Sequence, residues 1–140
     1  MTCEPLLSHL QRLSFHECPI ISEYSAIIPI LTHAPNLTYI DLSGCSISDL
    51  TLNFLAGTNA PTKLSYLLLA KCKNISSDAT SSFISKCTQL ETFNLYCNRT
   101  AIKEDGLITI LRSPSVENFK IDIGSSHITP LISTVFYMNI

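Results

Sequence analysis

The apolar positions of this chain fall into one phrase that comes back five times. It reads Leu10, Leu13, Phe15, Cys18; then Leu37, Ile40, Leu42, Cys45; then Leu64, Leu67, Leu69, Cys72. Two looser copies follow, Leu90, Phe93, Leu95 with Cys97-Asn98, and Val116, Phe119, Ile121 closing on Gly124. The phrases open near residues 10, 37, 64, 90 and 116, a period of 26–27 residues. Inside each phrase the later apolar positions alternate with polar ones, the pattern of a short strand with one buried face. The spacing then becomes helical. Ile47-Ser48-Asp49 leads into Leu52, Leu55 and Ala56; Ile75-Ser76-Ser77-Asp78 into Phe83 and Ile84; Ile102-Lys103-Glu104-Asp105 into Leu107, Ile110 and Leu111. Ser48 and either Ser76 or Ser77 can accept hydrogen bonds from the first helical turn, and the acids suit the positive end of the helix dipole. Thr129-Pro130 has the same form, with proline at the first helical position. Pro29 lies inside the first expected helix and predicts that it is short or kinked there.

One such unit cannot bury its own apolar face, so it must stack on the next. The expected product is an α/β solenoid, a right-handed superhelix of about five repeats that forms one domain over residues 1–140. Parallel strands would line its concave face. Residues flanking the inward apolar positions would point out of that face in three columns. The first holds Arg12, Tyr39, Tyr66, Thr92 and Asn118; the second Ser14, Asp41, Leu68, Asn94 and Lys120; the third His16, Ser43, Ala70, Tyr96 and Asp122. Tyrosine and arginine are what protein interfaces use as anchors. Arg12, Tyr39, Asp41, Tyr66, Leu68, Asn94, Tyr96 and Lys120 are therefore the candidate protein-binding residues.

The stretch Ala34 to Ala56, with Leu37, Ile40, Leu42, Cys45, Ile47, Asp49, Leu52 and Leu55 in place, resembles the cysteine-containing leucine-rich repeats of F-box proteins and their relatives. Among those relatives is the antagonist-of-mitotic-exit type, which carries repeats without an F-box. The third unit is similar through Cys72, Ile75, Asp78 and Cys87; the first, fourth and fifth are similar more loosely, and the likeness covers roughly residues 10 to 136. The resemblance implies a leucine-rich-repeat solenoid that recognises a substrate protein, either for SCF-dependent ubiquitin-mediated degradation or in cell-cycle control. No F-box-like segment precedes the repeats, which implies the receptor half alone.

Composition narrows the partners. Charged residues are 14% of the 140, the net charge is −2, and no run of one sign occurs. Nucleic acid and anionic membranes both call for a concentrated basic face, so neither is expected. Apolar runs such as Tyr66 to Ala70 are far below the ~18 residues of a membrane span. The first ten residues lack the basic start and apolar stretch of a secretory signal, which places the expected protein in the cytoplasm or nucleus. Of the six cysteines, Cys18, Cys45 and Cys72 share one repeat position and are expected to stack as reduced, buried thiols. Cys87 is expected to close the third unit's helix, and Cys97, one place early, to face outward and be the most reactive. Metal-ligand spacing is absent, as are a phosphate-binding loop and a nucleophile turn. Glu104-Asp105 reads as a helix start, so neither enzyme activity nor a cofactor is expected. Three glycosylation-type triplets, at Asn36, Asn74 and Asn98, would matter only in the alternative of a secreted or receptor-type recognition protein. Both ends are apolar, at Leu6, Leu7 and Leu10 and again over residues 134–140. They lack the polar caps of a finished solenoid. The expectation is an interior slice of a longer solenoid, or self-association through uncapped ends; a truncated fragment without activity of its own is the remaining alternative.

Overall fold

The computed structural model describes residues 6–96, 98, 108, 112 and 118–121. Five strands, β1 (Arg12–Ser14), β2 (Tyr39–Asp41), β3 (Tyr66–Leu68), β4 (Thr92–Leu95) and β5 (Asn118–Ile121), form one parallel sheet in chain order. The register pairs Leu13 with Ile40, Ile40 with Leu67, Leu67 with Phe93 and Phe93 with Phe119. Every repeated apolar position thus lies beside its own copy. Ile40, Leu67 and Phe93 are fully buried, as are Leu42, Leu69 and Leu95 in a second row. Leu37, Leu64 and Leu90 form a third row, and the helices supply Leu52, Leu55, Phe83 and Ile84 to the same core. The result is an α/β repeat fold with helices on one side of the sheet. Leu10 and Phe15, in the outermost strand's unit, are only partly buried against this core.

Among the described residues up to Tyr96 the helical segments are a π-turn (Glu23–Ile27), α1 (Ile28–His33), α2 (Asp49–Ala56), the single turn α3 (Ala60–Lys63) and α4 (Ser77–Lys86). Pro29 accounts for the first division. It lacks the N–H that would continue the ladder, and the backbone N–H groups of Ile27 and Ile28 instead reach five residues back, to Ser22 and Glu23. α1 then starts afresh with Pro29 in its opening positions, where a missing donor does no harm. Ser22, Ser48 and Ser76 are the N-caps of the π-turn, α2 and α4, accepting from the N–H of Ser25, Leu50 and Ala79 at 3.1–3.2 Å. The expected helix at 102–111 lies outside the described residues except for Ile108, which is helical. The unit at Thr129-Pro130, the apolar segment 134–140 and Cys97 also lie outside them.

The acids at the helix starts serve a neighbour rather than their own helix. Glu23 is buried, and its carboxylate accepts from Ser48 N–H (2.9 Å), Ser48 Oγ (2.8 Å), Thr51 N–H (3.0 Å) and Thr51 Oγ1 (2.6 Å). It closes the N-terminus of α2, where free N–H groups and the dipole favour an anion. Asp49 repeats the device one unit on, accepting from Ser76 N–H at 2.6 Å.

A second chain of contacts links the turns after the strands. The Cys45 thiol donates to the Phe15 carbonyl at 3.0 Å and Cys72 to Leu42 at 3.1 Å. Asn98 takes the same part in the fourth unit, its side-chain amide donating to Leu69. The cysteine position of the phrase is therefore filled by Asn98, three residues after Leu95, and not by Cys97. Cys18, Cys45, Cys72 and Cys87 are free thiols, and Cys87 ends α4 with its sulfur on the Phe83 carbonyl. Burial pushes the Cys72 and Cys87 thiols up to about 12.

Two outcomes follow. At pH 8, mass mapping after a short pulse of a thiol reagent should find Cys72 and Cys87 unmodified until denaturant unfolds the chain; labelling in the native state would contradict their burial. Burial raises the Glu23 carboxyl, but the hydrogen bonds from Thr51 and Ser48 outweigh it and hold the group below its usual 4.5. Its contribution is whole above that usual value and is lost as pH falls through the lower folded one. Glu23→Ala should lower unfolding free energy at pH 7 by about 3 kcal/mol, the loss of a cap and of charged hydrogen bonds to buried donors. Glu23→Gln should flatten the fall of stability below pH 4.5. Urea titrations across pH measure both.

Candidate protein-binding face

The face of the sheet away from the helices is built from the residues between the buried rows. The register places Arg12, Tyr39, Tyr66, Thr92 and Asn118 side by side, and Ser14, Asp41, Leu68, Asn94 and Lys120 in the next column. The hydrogen bonds Glu17 N–H to Ser43, Gly44 N–H to Ala70 and Lys71 N–H to Tyr96 carry the same alignment into a third column of His16, Ser43, Ala70 and Tyr96. Lys120 has its backbone place in β5; its side chain, and all of Asp122, lie outside the described residues. These are the columns the repeat spacing predicts.

Their side chains divide into two groups. In the first column the Arg12 guanidinium carbon lies 4.0 Å above the centroid of the Tyr39 ring. That ring is 5.7 Å from the Tyr66 ring, with the planes at 40°. Cation–π and tilted aromatic contacts of this kind hold rings in place with few soft torsions. Arg12 and Tyr66 are exposed and Tyr39 is half-buried. Tyr96 stands apart in the third column, 52% exposed. Leu68 is half-buried between the two.

The second column does different work. Ser14, Asp41 and Asn94 each turn back to accept from the N–H two residues ahead, that of His16 (3.5 Å), Ser43 (3.0 Å) and Tyr96 (2.9 Å). Short polar side chains end strands in this manner. At Leu68 no such acceptor exists, and Ser43 Oγ of the preceding unit accepts from Ala70 N–H instead, at 3.2 Å. Asp41 is buried at 7% exposure and also contacts His16 Nδ1 at 3.2 Å. The outward column does not expose its carboxylate. A short acid beneath His16 and beside Ser43 is covered by its neighbours, so Asp41 and Asn94 chiefly finish the strands. Arg12, Tyr39, Tyr66, Leu68 and Tyr96 form the available surface.

Sequence reasoning passed over the residues on the rim. Glu17, Gly44 and Lys71 occupy one repeat position and all have positive φ, of 56°, 76° and 58°. Lys71 Nζ lies 2.9 Å from Glu17 Oε1, an ion pair that crosses the intervening unit directly over Gly44. A Cβ on Gly44 would meet Glu17 Oε2 at 2.8 Å and Glu17 Cα at 3.0 Å. The Lys71 hydrogen bond and charge hold the Glu17 carboxyl below its usual range. The signal was present as a spacing of two repeats between opposite charges with glycine midway. Among the described residues no three His, Cys, Asp or Glu side chains are grouped to hold a metal ion, and no helix is long and apolar enough to cross a membrane.

Gly44→Ala should destabilise the fold by about 1–2 kcal/mol, the cost of a left-handed conformation for a residue with a Cβ. Paired thermal melts at low and high salt would detect it; an unchanged midpoint would show that the turn relaxes freely.

Residues 36–57 match the family model for the Leucine Rich Repeat. The match contains the whole of β2, the Cys45 turn and α2. Curated proteins yield no match to the chain. The stretch from Asn36 to Gly57 is a leucine-rich repeat, and that motif indicates a protein–protein interaction module.

Proposed function

We propose that this chain is a leucine-rich-repeat solenoid whose open sheet face captures a protein partner. The observation that carries the reading is the continuous stack of Arg12, Tyr39 and Tyr66, held rigid by ring contacts and left accessible on one side. Arginine and tyrosine dominate the energetics of protein interfaces because a fixed, amphipathic side chain loses little freedom on binding. Leu68 and Tyr96 supply apolar area beside the stack. The finer proposal follows the family resemblance: a substrate receptor of the F-box type, or a cell-cycle regulator built from the same repeats, acting in the cytoplasm or nucleus through binding and not catalysis. Five repeats and self-association through the solenoid ends belong to the same proposal.

Tyr66→Ala and Tyr96→Ala are the informative substitutions, since both side chains are exposed and the core rows do not use them. Each should weaken partner capture by about 2 kcal/mol, with circular dichroism and melting midpoint unchanged. Quantitative affinity capture from the native cell, wild type beside the double variant, reads the result. Recovery of a ligase adaptor would support the F-box branch. Equal recovery of every partner by the double variant would remove the sheet face from consideration.

A further inference from the structure

The helix side of the molecule holds a cleft between α1, the approach to β2 and the corner from α2 to α3. Its volume is about 360 Å³, and it is open on one side. The walls include Leu31, Ala34, Leu37 and Leu55, all buried, and the half-buried Phe54 and Ala60, with the exposed Thr32, Thr58 and Asn59 adding polar groups. The gap has a structural origin. α2 packs broadly on the ten-residue α4 but only narrowly on the six-residue α1, which the π-turn and Pro29 have shortened. The space is more than twice the ~150 Å³ that accommodates benzene in an apolar cavity and lies within the ~300–1,000 Å³ of small-molecule sites.

A cation lies beside the cleft, outside its wall. Lys63 is three residues beyond Ala60 on α3, so both lie on one side of that turn. Its Nζ donates to the carbonyl of Pro35, a lip residue, at 3.3 Å and to Asn36 Oδ1 at 2.8 Å. Both acceptors are neutral. Among the described residues no carboxylate is paired with Lys63.

We propose that this cleft binds a small amphipathic acid, with an aliphatic or aromatic body against Leu31, Leu37 and Phe54 and the carboxylate on Lys63. The site is separate from the sheet face and does not depend on what that face binds. The probe is octanoate, with octanol as its uncharged counterpart, followed by amide shifts in the ¹⁵N spectrum of the full chain. Octanoate should move the amides of Thr32, Gly57, Ala60 and Lys63. Lys63→Met should weaken octanoate about tenfold, the worth of one charged hydrogen bond, and leave octanol unchanged. Ala60→Leu should obstruct the cleft and abolish both, with a cooperative melt retained; Thr32→Phe, at an exposed lining residue, provides a second block if that variant folds poorly. The proposal is overturned if octanoate and octanol bind wild type equally, if octanoate binding survives both blocking variants, or if neither ligand shifts the folded chain at millimolar concentration.

Discussion

Each unit of this fold is completed by its neighbour, and the rest of the structure depends on that. A strand of three or four residues is too short to be stable alone. Its backbone groups pair with the adjacent strand, the thiol or amide of its turn reaches one unit back, and the carboxylate at its helix start reaches one unit forward. The buried rows of leucine then supply apolar burial at about 1.5–3 kcal/mol per side chain. Polar links fix the stacking distance and apolar rows supply the driving force. Neither would suffice alone, because leucine rows without fixed registers permit sliding and polar links without burial yield little net free energy.

Much of the fold was legible because the period is nearly constant. When Leu13, Ile40 and Leu67 recur at equal steps, the only parallel register that buries them all is the one that sets each beside its copy, and the columns of the open face follow. Pro29 could be read for the same kind of reason: its effect is local, set by a missing N–H. Contacts made across units were harder. Asp49 read as a partner of its own helix dipole and Glu23 carried no signal at all, because nothing in the chain order says that Ser76 and Ser48 lie nearer. α3 carries no apolar periodicity and was missed. Cys97 could be read as one place early because cysteine and asparagine share that position in such phrases; the hydrogen bond from Asn98 to a carbonyl one unit back could not be read.

The candidate site was legible as a set of columns and not as a surface. Alternation tells which way a side chain leaves the backbone, but it cannot tell whether that side chain is then used locally. Asp41 and Asn94 are spent on the N–H groups of Ser43 and Tyr96. Tyr39 and Tyr66 have no such local use for their rings and stack on one another instead. The distinction rests on length: a short polar side chain can fold back to its own strand, and a tyrosine ring cannot.

The forward-reaching carboxylates bear on how such a chain can change over generations. A unit excised or duplicated as a block carries its own acid at one boundary and its own Ser-Thr donor site at the other. The new junction is sound only if the incoming helix presents hydroxyl and N–H donors where the outgoing acid arrives, as Ser48 and Thr51 do for Glu23. The same links would constrain a length change between a strand and the helix start that follows it more than one in the loop from Gly57 to Asn59. The joint between neighbours, rather than the repeat, is then the unit that a rearrangement has to keep whole.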